Sequence, residues 1–477
     1  MTHALPPYPA YNDSGVAWLG QVPKHWEVHT FRQVAHATKG SQPQRLYLEH
    51  EAPAEAKPYL TMEYLRAPQG NPKFYCVPSN NDVVANAGDI LLLWDGANAG
   101  EFLVAKEGVV SSTAALLHLA RHNPRYIYFA LKQCEPLLRA FSTGMGIPHV
   151  DSRTLRQMPI PLPPLDEQAA IVRFLDFVDG RMRRYARAQQ QTIRLLTEYK
   201  QSLIHHAVTG KVNVCTGAPY TTYHDTGIEW LGQVPSHWEV CRLKSRLVKN
   251  ESGIWNDRHN THGTIVLRST EQTISGGWRI ENPARLVLSP EERETYLLQV
   301  GDLLVTKSSG SPDHIGKTSL VTEEIASLAC AFSNFMQRLR VDKDTHPKLI
   351  WYYLNSPVGR EQLIFQSTTT TGLGNLNGKM LGNCIIAIPP LAEQWAIVEY
   401  LDAQTARIDA AIAAVRRMVA LVGEYRERLV ADVVTGKVDV RAVAAGLPEA
   451  DALRTPFAPD DAPTLEEALQ DATDGHE

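Results

Sequence analysis

Three stretches of the sequence carry residue types found in ligand-binding or catalytic motifs. GSPDHIGKT at 310–318 resembles the phosphate-binding loop G-x-x-x-x-G-K-[ST], but five residues separate its glycines where that loop has four, and TSLVT after it does not favour a helix. GLGNLNG at 372–378 resembles a dinucleotide-binding fingerprint, but its third glycine comes one residue late and TTTT before it does not favour a buried strand. His259 and His262 could share a metal ion, but no cysteine or carboxylate cluster at ligand spacing accompanies them. No nucleophile with a nearby base stands out either, so the sequence favours a binding protein with no catalytic residues and no metal site.

Several sequence motifs occur twice along the chain. PPLDEQAAIVRFLD at 163–176 returns as PPLAEQWAIVEYLD at 389–402, and the helical text after each copy closes on AVTGKVNV or VVTGKVDV. Before each copy, YNDSGVAWLGQVPKHWEV at 11–28 matches YHDTGIEWLGQVPSHWEV at 223–240 at 13 of 18 positions. The protein is therefore an internal duplication, with a pseudo-twofold relation expected between its halves.

Each copy continues into a long run with helical spacing. The first covers 43 residues from Asp166 to Val208, and the paired prolines before it predict where the helix begins. Apolar residues three and four positions apart predict a coiled-coil seam in one heptad frame, for which the other copy is the nearest partner. The predicted seam residues are Leu175, Val178, Met182, Tyr185, Leu196, Tyr199 and Leu203, with Leu401, Ile408, Val415, Met418, Val422, Tyr425 and Leu429 in the second copy.

Between the repeated lines lie two dissimilar blocks, 29–150 and 241–372. GDILLLW at 88–94 predicts a buried strand that has a faint echo in GDLLVTK at 301–307, and each is followed by a predicted helix. The expected fold class is α+β, with two mixed α/β domains separated by a pair of long antiparallel coiled-coil helices. The expected boundaries are 1–162 for the first domain, 163–214 for the first helix, 215–388 for the second domain, 389–440 for the second helix and 441–477 for an acidic, disordered tail.

Composition sets wider limits. A chain of 477 residues with 44% apolar content exceeds what a single core usually supports. The six cysteines are dispersed, and we find no run long enough to cross a bilayer and no secretory signal, so we expect a reduced cytoplasmic protein. The net charge is -5, but residues 441–477 hold nine acids and two arginines, which leaves the rest nearly neutral. Charge alone therefore neither indicates nor excludes a nucleic-acid partner.

The combination of repeated motifs resembles the specificity subunits of type I restriction-modification systems. The resemblance rests on the two YxDxGxxWLGQVPxHW stretches, the two PPLxEQxxIV helix starts and the two EYxxxL…VTGKV endings, in an order that spans 11–440. It implies that the two blocks are target recognition domains, each reading half of a split, asymmetric sequence in double-stranded DNA. It also implies that the long helices pair as a spacer and dock two methyltransferase subunits, to which restriction subunits can add. S-adenosylmethionine, ATP and Mg would then lie on those partners, and this chain would hold no cofactor.

Candidate DNA contacts follow from residue type and loop position within the two blocks. Arg and Lys pair with guanine edges, while hydroxyls and amides serve phosphates or bases. The candidates are Lys39, Ser41, Arg45, Asn98, Ser112 and Thr113 in the first block, and Arg268, Ser269, Arg279, Lys307, Ser308, Ser309 and Lys317 in the second. For each of them a solvated loop position is an equally good interpretation. Two other classes of protein remain: a coiled-coil scaffold whose blocks bind protein partners, and a stand-alone enzyme.

Overall fold

A computed structural model describes residues 5–67, 70–141, 148–256, 258–308, 314–367 and 375–448. The chain divides into two units: unit 1 contains Met1–Gln190 and Arg417–Ala472, and unit 2 contains Gln191–Arg416 and Thr473–Glu477. Each unit therefore combines one variable block with parts of both long helices. Ser309, the glycines of 372–374 and everything after residue 448 lie outside the described residues.

Unit 1 is a mixed α/β domain whose strands form small sheets. Its elements are β1 (Tyr11–Asp13), β2 (Gln21–Pro23), β3 (Glu27–Thr30), α1 (Phe31–Val34), β4 (Ala35–Lys39), β5 (Lys57–Leu60), α2 (Met62–Arg66), β6 (Tyr75–Cys76), β7 (Val84–Ala85), β8 (Ile90–Leu93), β9 (Phe102–Val104), β10 (Gly108–Val110), β11 (Ala114–Leu119), α3 (Pro124–Ala140), α4 (Ser152–Gln157), β12 (Pro159–Leu162) and the start of α5 (Leu165–Val208). The principal sheet has the order β4-β11-β8-β9, and β5 pairs in parallel with β10 in a second sheet.

Unit 2 repeats the principal sheet and the parallel strand pair of unit 1 with different side chains. Its elements are β13 (Tyr223–Asp225), β14 (Gln233–Pro235), β15 (Glu239–Arg242), β16 (Leu247–Ser252), β17 (His259–Leu267), β18 (Ala284–Leu286), α6 (Pro290–Tyr296), β19 (Leu303–Thr306), β20 (Thr318–Leu320), α7 (Glu323–Ser327), β21 (Ala331–Phe332), β22 (Met336–Val341), α8 (Pro347–Asn355), α9 (Pro357–Ser367), α10 (Gly378–Gly382), β23 (Ile385–Ile388) and the start of α11 (Leu391–Val434). The sheet β16-β22-β19-β20 corresponds to β4-β11-β8-β9, and the parallel pair β17 and β21 corresponds to β5 and β10. The duplication thus persists in the blocks where the sequence similarity fades.

The two long helices run antiparallel within each unit. In unit 1, Ile171 and Leu175 near the start of α5 share a core with Val430 and Val434 at the end of α11. Asp179 on α5 accepts two hydrogen bonds from the Arg426 guanidinium, at 2.8 and 3.1 Å. In unit 2 the end of α5 meets the start of α11, where Ile204 packs in one core with Ile397 and Leu401.

The buried seam of these helices does not follow the predicted heptads. Tyr185, Tyr199, Met418 and Tyr425 are exposed, so their assignment to the seam is wrong. The buried or half-buried residues recur at intervals of 11, and the two series are Ile171, Met182, Ile193 and Ile204 on α5, and Ile397, Ile408, Val419 and Val430 on α11. An 11-residue interval is 3.67 residues per turn, close to that of a straight helix, whereas heptads require a left-handed supercoil. Of the other predicted seam residues, Leu175, Leu401, Ile408 and Leu429 are buried, while Val178, Met182, Leu196, Leu203, Val415 and Val422 are half-buried.

A polar cluster of the same composition lies at the start of each long helix. Glu167, in the first turn of α5, is buried and accepts hydrogen bonds from the Tyr8 hydroxyl at 2.6 Å and from Trp26 Nε1 at 3.0 Å, while His25 Nε2 lies 2.7 Å away. Glu393, in the first turn of α11, has the same partners in Tyr220, His237 and Trp238. Burial and the adjacent Glu167 carboxylate raise the pKa of Tyr8, which keeps the phenol protonated as a donor. These contacts explain why the HW and PPLxEQ motifs occur together.

Each long helix also ends at a repeated glycine. Gly210 and Gly436 have positive φ angles of 68° and 77°, and the amide of the following lysine bonds back to a carbonyl of the last turn, as at helix ends closed by glycine. A Cβ at Gly210 would collide with Pro235, and a Cβ at Gly436 would collide with Pro23. The TGK and QVP motifs are therefore two sides of one packing contact in each unit.

The disordered tail was predicted to begin at residue 441, but the folded part of the chain extends beyond that residue. Arg441–Ala445 form a short helix, α12, and both Val440 and Ala444 are buried in the core of unit 1. Arg441 also pairs with Asp439 at 2.6 Å. Residues 441–448 thus belong to unit 1 in the described structure, because their apolar side chains close a core that the acidic composition of 441–477 as a whole does not reveal.

Candidate nucleic-acid interface

In unit 1 several predicted DNA contacts lie together at one edge of the principal sheet, where β4 and β8 end and β11 begins. β4 ends opposite the start of β11, since Lys39 pairs with Ala115, and β8 ends there too, since Leu93 pairs with Ala114. Lys39, Ser41 and the segment Ser111–Thr113 therefore lie beside Asp95, the second residue after β8. We call this group, with His149, edge 1; Ser41 forms a bridge with Ser111, and Asp95 forms one with His149.

A carboxylate organises the charges of edge 1. Asp95 accepts hydrogen bonds from Lys39 Nζ and His149 Nδ1, both at 2.5 Å. Burial opposes ionisation of Asp95, but these hydrogen bonds and charges outweigh it and lower its pKa. The edge thus presents a cation, a carboxylate, an imidazole and several hydroxyls, a mixture that can meet both phosphates and base edges.

The other candidates of the first block take different positions. Arg45 is exposed and stacks its guanidinium on the Tyr47 ring at 4.7 Å, outside the contacts that define edge 1. Asn98 lies in the loop after β8, where its carbonyl accepts from the amide of Glu101 at 3.2 Å. Ser112 and Thr113 belong to edge 1, and the Thr113 carbonyl receives the amide of Trp94 at 2.8 Å.

In unit 2 the equivalent strand ends form a second edge. β16, β22 and β19 meet there, since Ser252 pairs with Gln337 and Thr306 pairs with Met336. We call the group Ile254, Trp255, Lys307, Ser308 and Ser333–Phe335 edge 2. Lys307 donates to Ser252 Oγ at 2.6 Å, and burial lowers the pKa of its ammonium. Ser308 donates to Asn375 Oδ1 at 2.9 Å, in a bridge that corresponds to the one between Asp95 and His149.

Arg268, Ser269 and Arg279 lie at one loop beyond β17. Arg268 is exposed but pairs with the buried Glu271 at 2.6 Å, and the backbone amide of Arg279 donates to the Glu271 carbonyl at 2.8 Å. β17 runs parallel to β21, which leads into Ser333, so this loop lies on the side of edge 2. Arg279 is exposed.

The structure contradicts the prediction that Lys317 contacts DNA. Its side chain is buried, and its ammonium donates to the carbonyls of Ser269 at 3.2 Å and Gln272 at 3.0 Å. Burial lowers its pKa, as do the charges of Arg360 and Arg279. The prediction is wrong because the ammonium donates its hydrogen bonds to backbone carbonyls of a loop and is not free to contact DNA. Thr318, which follows it, begins β20, where a phosphate-binding loop would begin a helix.

Sequence reasoning missed four residues at the two edges. Asp95 and His149 fall outside the residue types that predict the candidates, which are cations, hydroxyls and amides, although the similarity of GDILLLWD and GDLLVTKS points to position 95. Trp255 and Phe335 are aromatic, a residue type that predicts a core position. Both are exposed, and their rings contact each other with a centroid separation of 6.4 Å.

Comparison with known proteins identifies what the two units are. A family model described as a type I restriction modification DNA specificity domain matches twice, at residues 23–193 and 235–414. The chain belongs to this family. Each match covers one strand edge and extends into the long helix that follows it, so the type I specificity domain occurs twice in one chain.

Relatives and a solved structure agree with this assignment. The chain is 26% identical over 427 residues to the type I restriction enzyme MjaVIII specificity subunit of Methanocaldococcus jannaschii, covering 88% of this chain and 95% of that one. It is 24% identical over 305 residues to the EcoKI specificity subunit of Escherichia coli, covering 63% of this chain and 62% of that one. A chain from a structural study of the complex assembly of a type I R-M system shares the fold, with a TM-score of 0.64, 16% identity and coverage of 87% and 99%.

These findings confirm the predicted family and fold class, and they do not favour the coiled-coil scaffold alternative. Within the described ranges no helix is both long enough and apolar enough to span a membrane.

Proposed function

We propose that edge 1 and edge 2 each read one half of a bipartite, asymmetric DNA target for a type I restriction-modification complex. One observation carries the proposal: the two edges occupy the same place in the same topology, yet they present different side chains. Identical frames suit a partner met twice, and different edges suit two different half-sites. Two different base sequences can be read from the same support only by different side chains.

The repeated frames are also the proposed docking surfaces for two methyltransferase subunits. α5 exposes Leu195 and Tyr199, and α11 exposes Leu421 and Tyr425 at the same positions of the repeat. These side chains are 52–58% exposed, and an exposed apolar stripe that recurs on both helices is typical of a surface that a partner covers. They follow one stripe of each helix, apart from the buried 11-residue series, so helices of two identical partners can pack against them.

In this proposal the chain contributes recognition and not catalysis, and it acts in the cytoplasm. S-adenosylmethionine, ATP and Mg would be bound by the methyltransferase and restriction subunits. The purified chain alone should neither methylate nor cut DNA. ATP hydrolysis that disappears on Lys317→Met would contradict this part of the proposal.

The test of half-site reading is a block exchange. Residues 29–150 are replaced with the corresponding block of a relative, the chain is assembled with its methyltransferase, and methylated sites are mapped across a genome. We expect one half of the target to change and the other half to remain. A change in both halves would contradict the assignment of one half-site to each edge.

The test of docking uses single charges on the stripe. Leu195→Glu should remove one of two bound methyltransferase subunits, and Leu195→Glu with Leu421→Glu should remove both, as measured by the mass of the complex in solution. Gln201→Glu places the same charge on another face of α5 and should leave the stoichiometry unchanged. Two subunits retained by the double variant would rule out this stripe as the docking surface.

A further inference from the structure

Edge 2 exposes a pair of aromatic side chains that edge 1 lacks. Trp255 is 76% exposed and Phe335 is 48% exposed, and their rings meet edge to face at an interplanar angle of 74°. Exposed tryptophan is uncommon, since burying an aromatic ring contributes substantially to stability. An aromatic pair left in solvent at a binding edge is therefore a candidate for ligand contact.

The backbone on both sides holds this pair in place. The amide of Ile254 donates to the Phe332 carbonyl at 2.9 Å, and the amide of Asn334 donates to the Ile254 carbonyl at 2.9 Å. The Phe335 carbonyl accepts from the amide of Lys307 at 2.9 Å. Ile254 itself is buried in a core cluster with Val266 and Ala331. The rings are thus presented by a fixed strand edge, which lowers the entropy lost on binding.

The same two positions are polar in unit 1. Ser41 bridges Ser111 there, as Ile254 bridges Ser333 in unit 2. Gln42 follows Ser41 as Trp255 follows Ile254, and Thr113 comes two residues after Ser111 as Phe335 comes two residues after Ser333. The contrast therefore lies in the side chains alone, on equivalent backbone.

We propose that Trp255 and Phe335 contact the C5-methyl group of a thymine in the major groove of the half-site read by edge 2. This inference rests on the proposed function. Thymine is the unmodified base that presents an apolar group in the major groove, and aromatic side chains contact that methyl. Lys307 and Ser308 lie beside the pair and can bond to neighbouring phosphates or base acceptors. The half-site read by edge 2 thus contains at least one A·T pair.

The test removes only the methyl. The target is first mapped by methylation with the assembled complex, and each thymine in the second half-site is then replaced by deoxyuridine in a synthetic duplex. We expect one of these replacements to weaken binding about three- to tenfold for the unchanged complex. Trp255→Ala should weaken binding to the thymine duplex by a similar factor and should no longer distinguish thymine from deoxyuridine.

Three controls separate the contact from general damage. Trp255→Phe keeps an aromatic ring and should keep part of the discrimination. Val248→Ala removes an exposed apolar side chain at the other end of β16 and should change nothing. Deoxyuridine in the unread gap of the target should also have no effect.

Distinct outcomes overturn the inference and the proposed function. A second half-site made only of G·C pairs, or deoxyuridine replacements that leave binding unchanged, would overturn the methyl contact. Equal sensitivity to deoxyuridine in the unchanged complex and in Trp255→Ala would overturn it as well. A complex without any sequence-specific methylation would instead contradict the proposed function.

Discussion

The helix starts of the two units are built alike, whereas their strand edges are not. Glu167 and Glu393 each gather a tyrosine, a histidine and a tryptophan. Edge 1 combines Lys39, Asp95 and His149, while edge 2 presents an aromatic pair beside a lysine. Between these two regions, side chains repeat where they join elements of the fold and diverge at the strand edges.

The largest expected effect tests how alike the helix starts are. Glu167→Ala leaves the Tyr8 and Trp26 donors without their acceptor and should lower the free energy of unfolding of unit 1 by about 3 kcal/mol. Glu393→Ala should lower that of unit 2 by only about 1–2 kcal/mol, because the Glu393 side chain is 18% exposed against 3% for Glu167 and water can replace it. Denaturant-dependent hydrogen exchange resolves the two units. Equal losses of unfolding free energy in the two variants would show that the greater exposure of the Glu393 side chain does not weaken its contribution.

The ion pairs between α5 and α11 sharpen the same comparison. Arg426→Ala in unit 1 leaves the buried Asp179 carboxylate without its two guanidinium hydrogen bonds and should cost about 2 kcal/mol. In unit 2 the pair of Lys200 and Asp409, at 2.7 Å, is more exposed, so Lys200→Ala should cost less than about 0.5 kcal/mol. Urea denaturation of each variant measures both effects. A greater loss for Lys200→Ala would reverse the ranking.

Two lysines distinguish a structural role from a binding role. Lys317→Ala should destabilise unit 2 by about 1–2 kcal/mol, because two carbonyl acceptors lose their buried donor. Lys39→Ala should leave stability nearly unchanged and lower the slope of log affinity against log salt by about one, as expected for one phosphate contact. DNA binding by the assembled complex at several salt concentrations, together with thermal unfolding, separates these outcomes. A change in salt slope for Lys317→Ala would restore it as a DNA contact.

The smallest expected effect concerns a histidine that only one repeat has. His205 on α5 corresponds to Ala431 on α11, and burial lowers its pKa, helped by the charges of His206 and Lys211. The folded state therefore keeps His205 neutral while the unfolded state binds a proton, so unit 2 should lose stability as pH falls below about 6.5. His205→Ala should reduce this loss by less than about 1 kcal/mol between pH 8 and 5.5. Burial lowers the pKa of His346 too, so part of the loss should remain. Thermal unfolding across that pH range would contradict the prediction if the variant became more sensitive to acid.

Local signals in the sequence predicted the frame well. The paired prolines and the repeated glycines bound the long helices, and the first helix begins one residue before the predicted Asp166. The seam was harder to predict, because each helix carries a second, exposed apolar stripe. Tyr185, Tyr199, Met418 and Tyr425 have the residue types of a core, and only packing shows that the buried series follows a different interval.

The edges were predicted in part, for a different reason. Residue type and loop position placed Lys39, Ser41 and Lys307 near strand ends, but they cannot show whether an ammonium faces solvent. Lys317 is buried and Trp255 is exposed, the reverse of what their types suggest. The strand pairing that creates each edge is long-range, and a single sequence does not specify it.

The core of unit 1 has a consequence for how the protein is made. Val433, Val434, Val440 and Ala444, near the end of the described chain, complete the core that begins with Tyr8 and Trp26. Unit 2 contains every residue from 191 to 416 and needs none of these. As the chain leaves the ribosome, unit 2 can close before unit 1, which must wait for the last helix. The order of completion is thus the reverse of the order of synthesis.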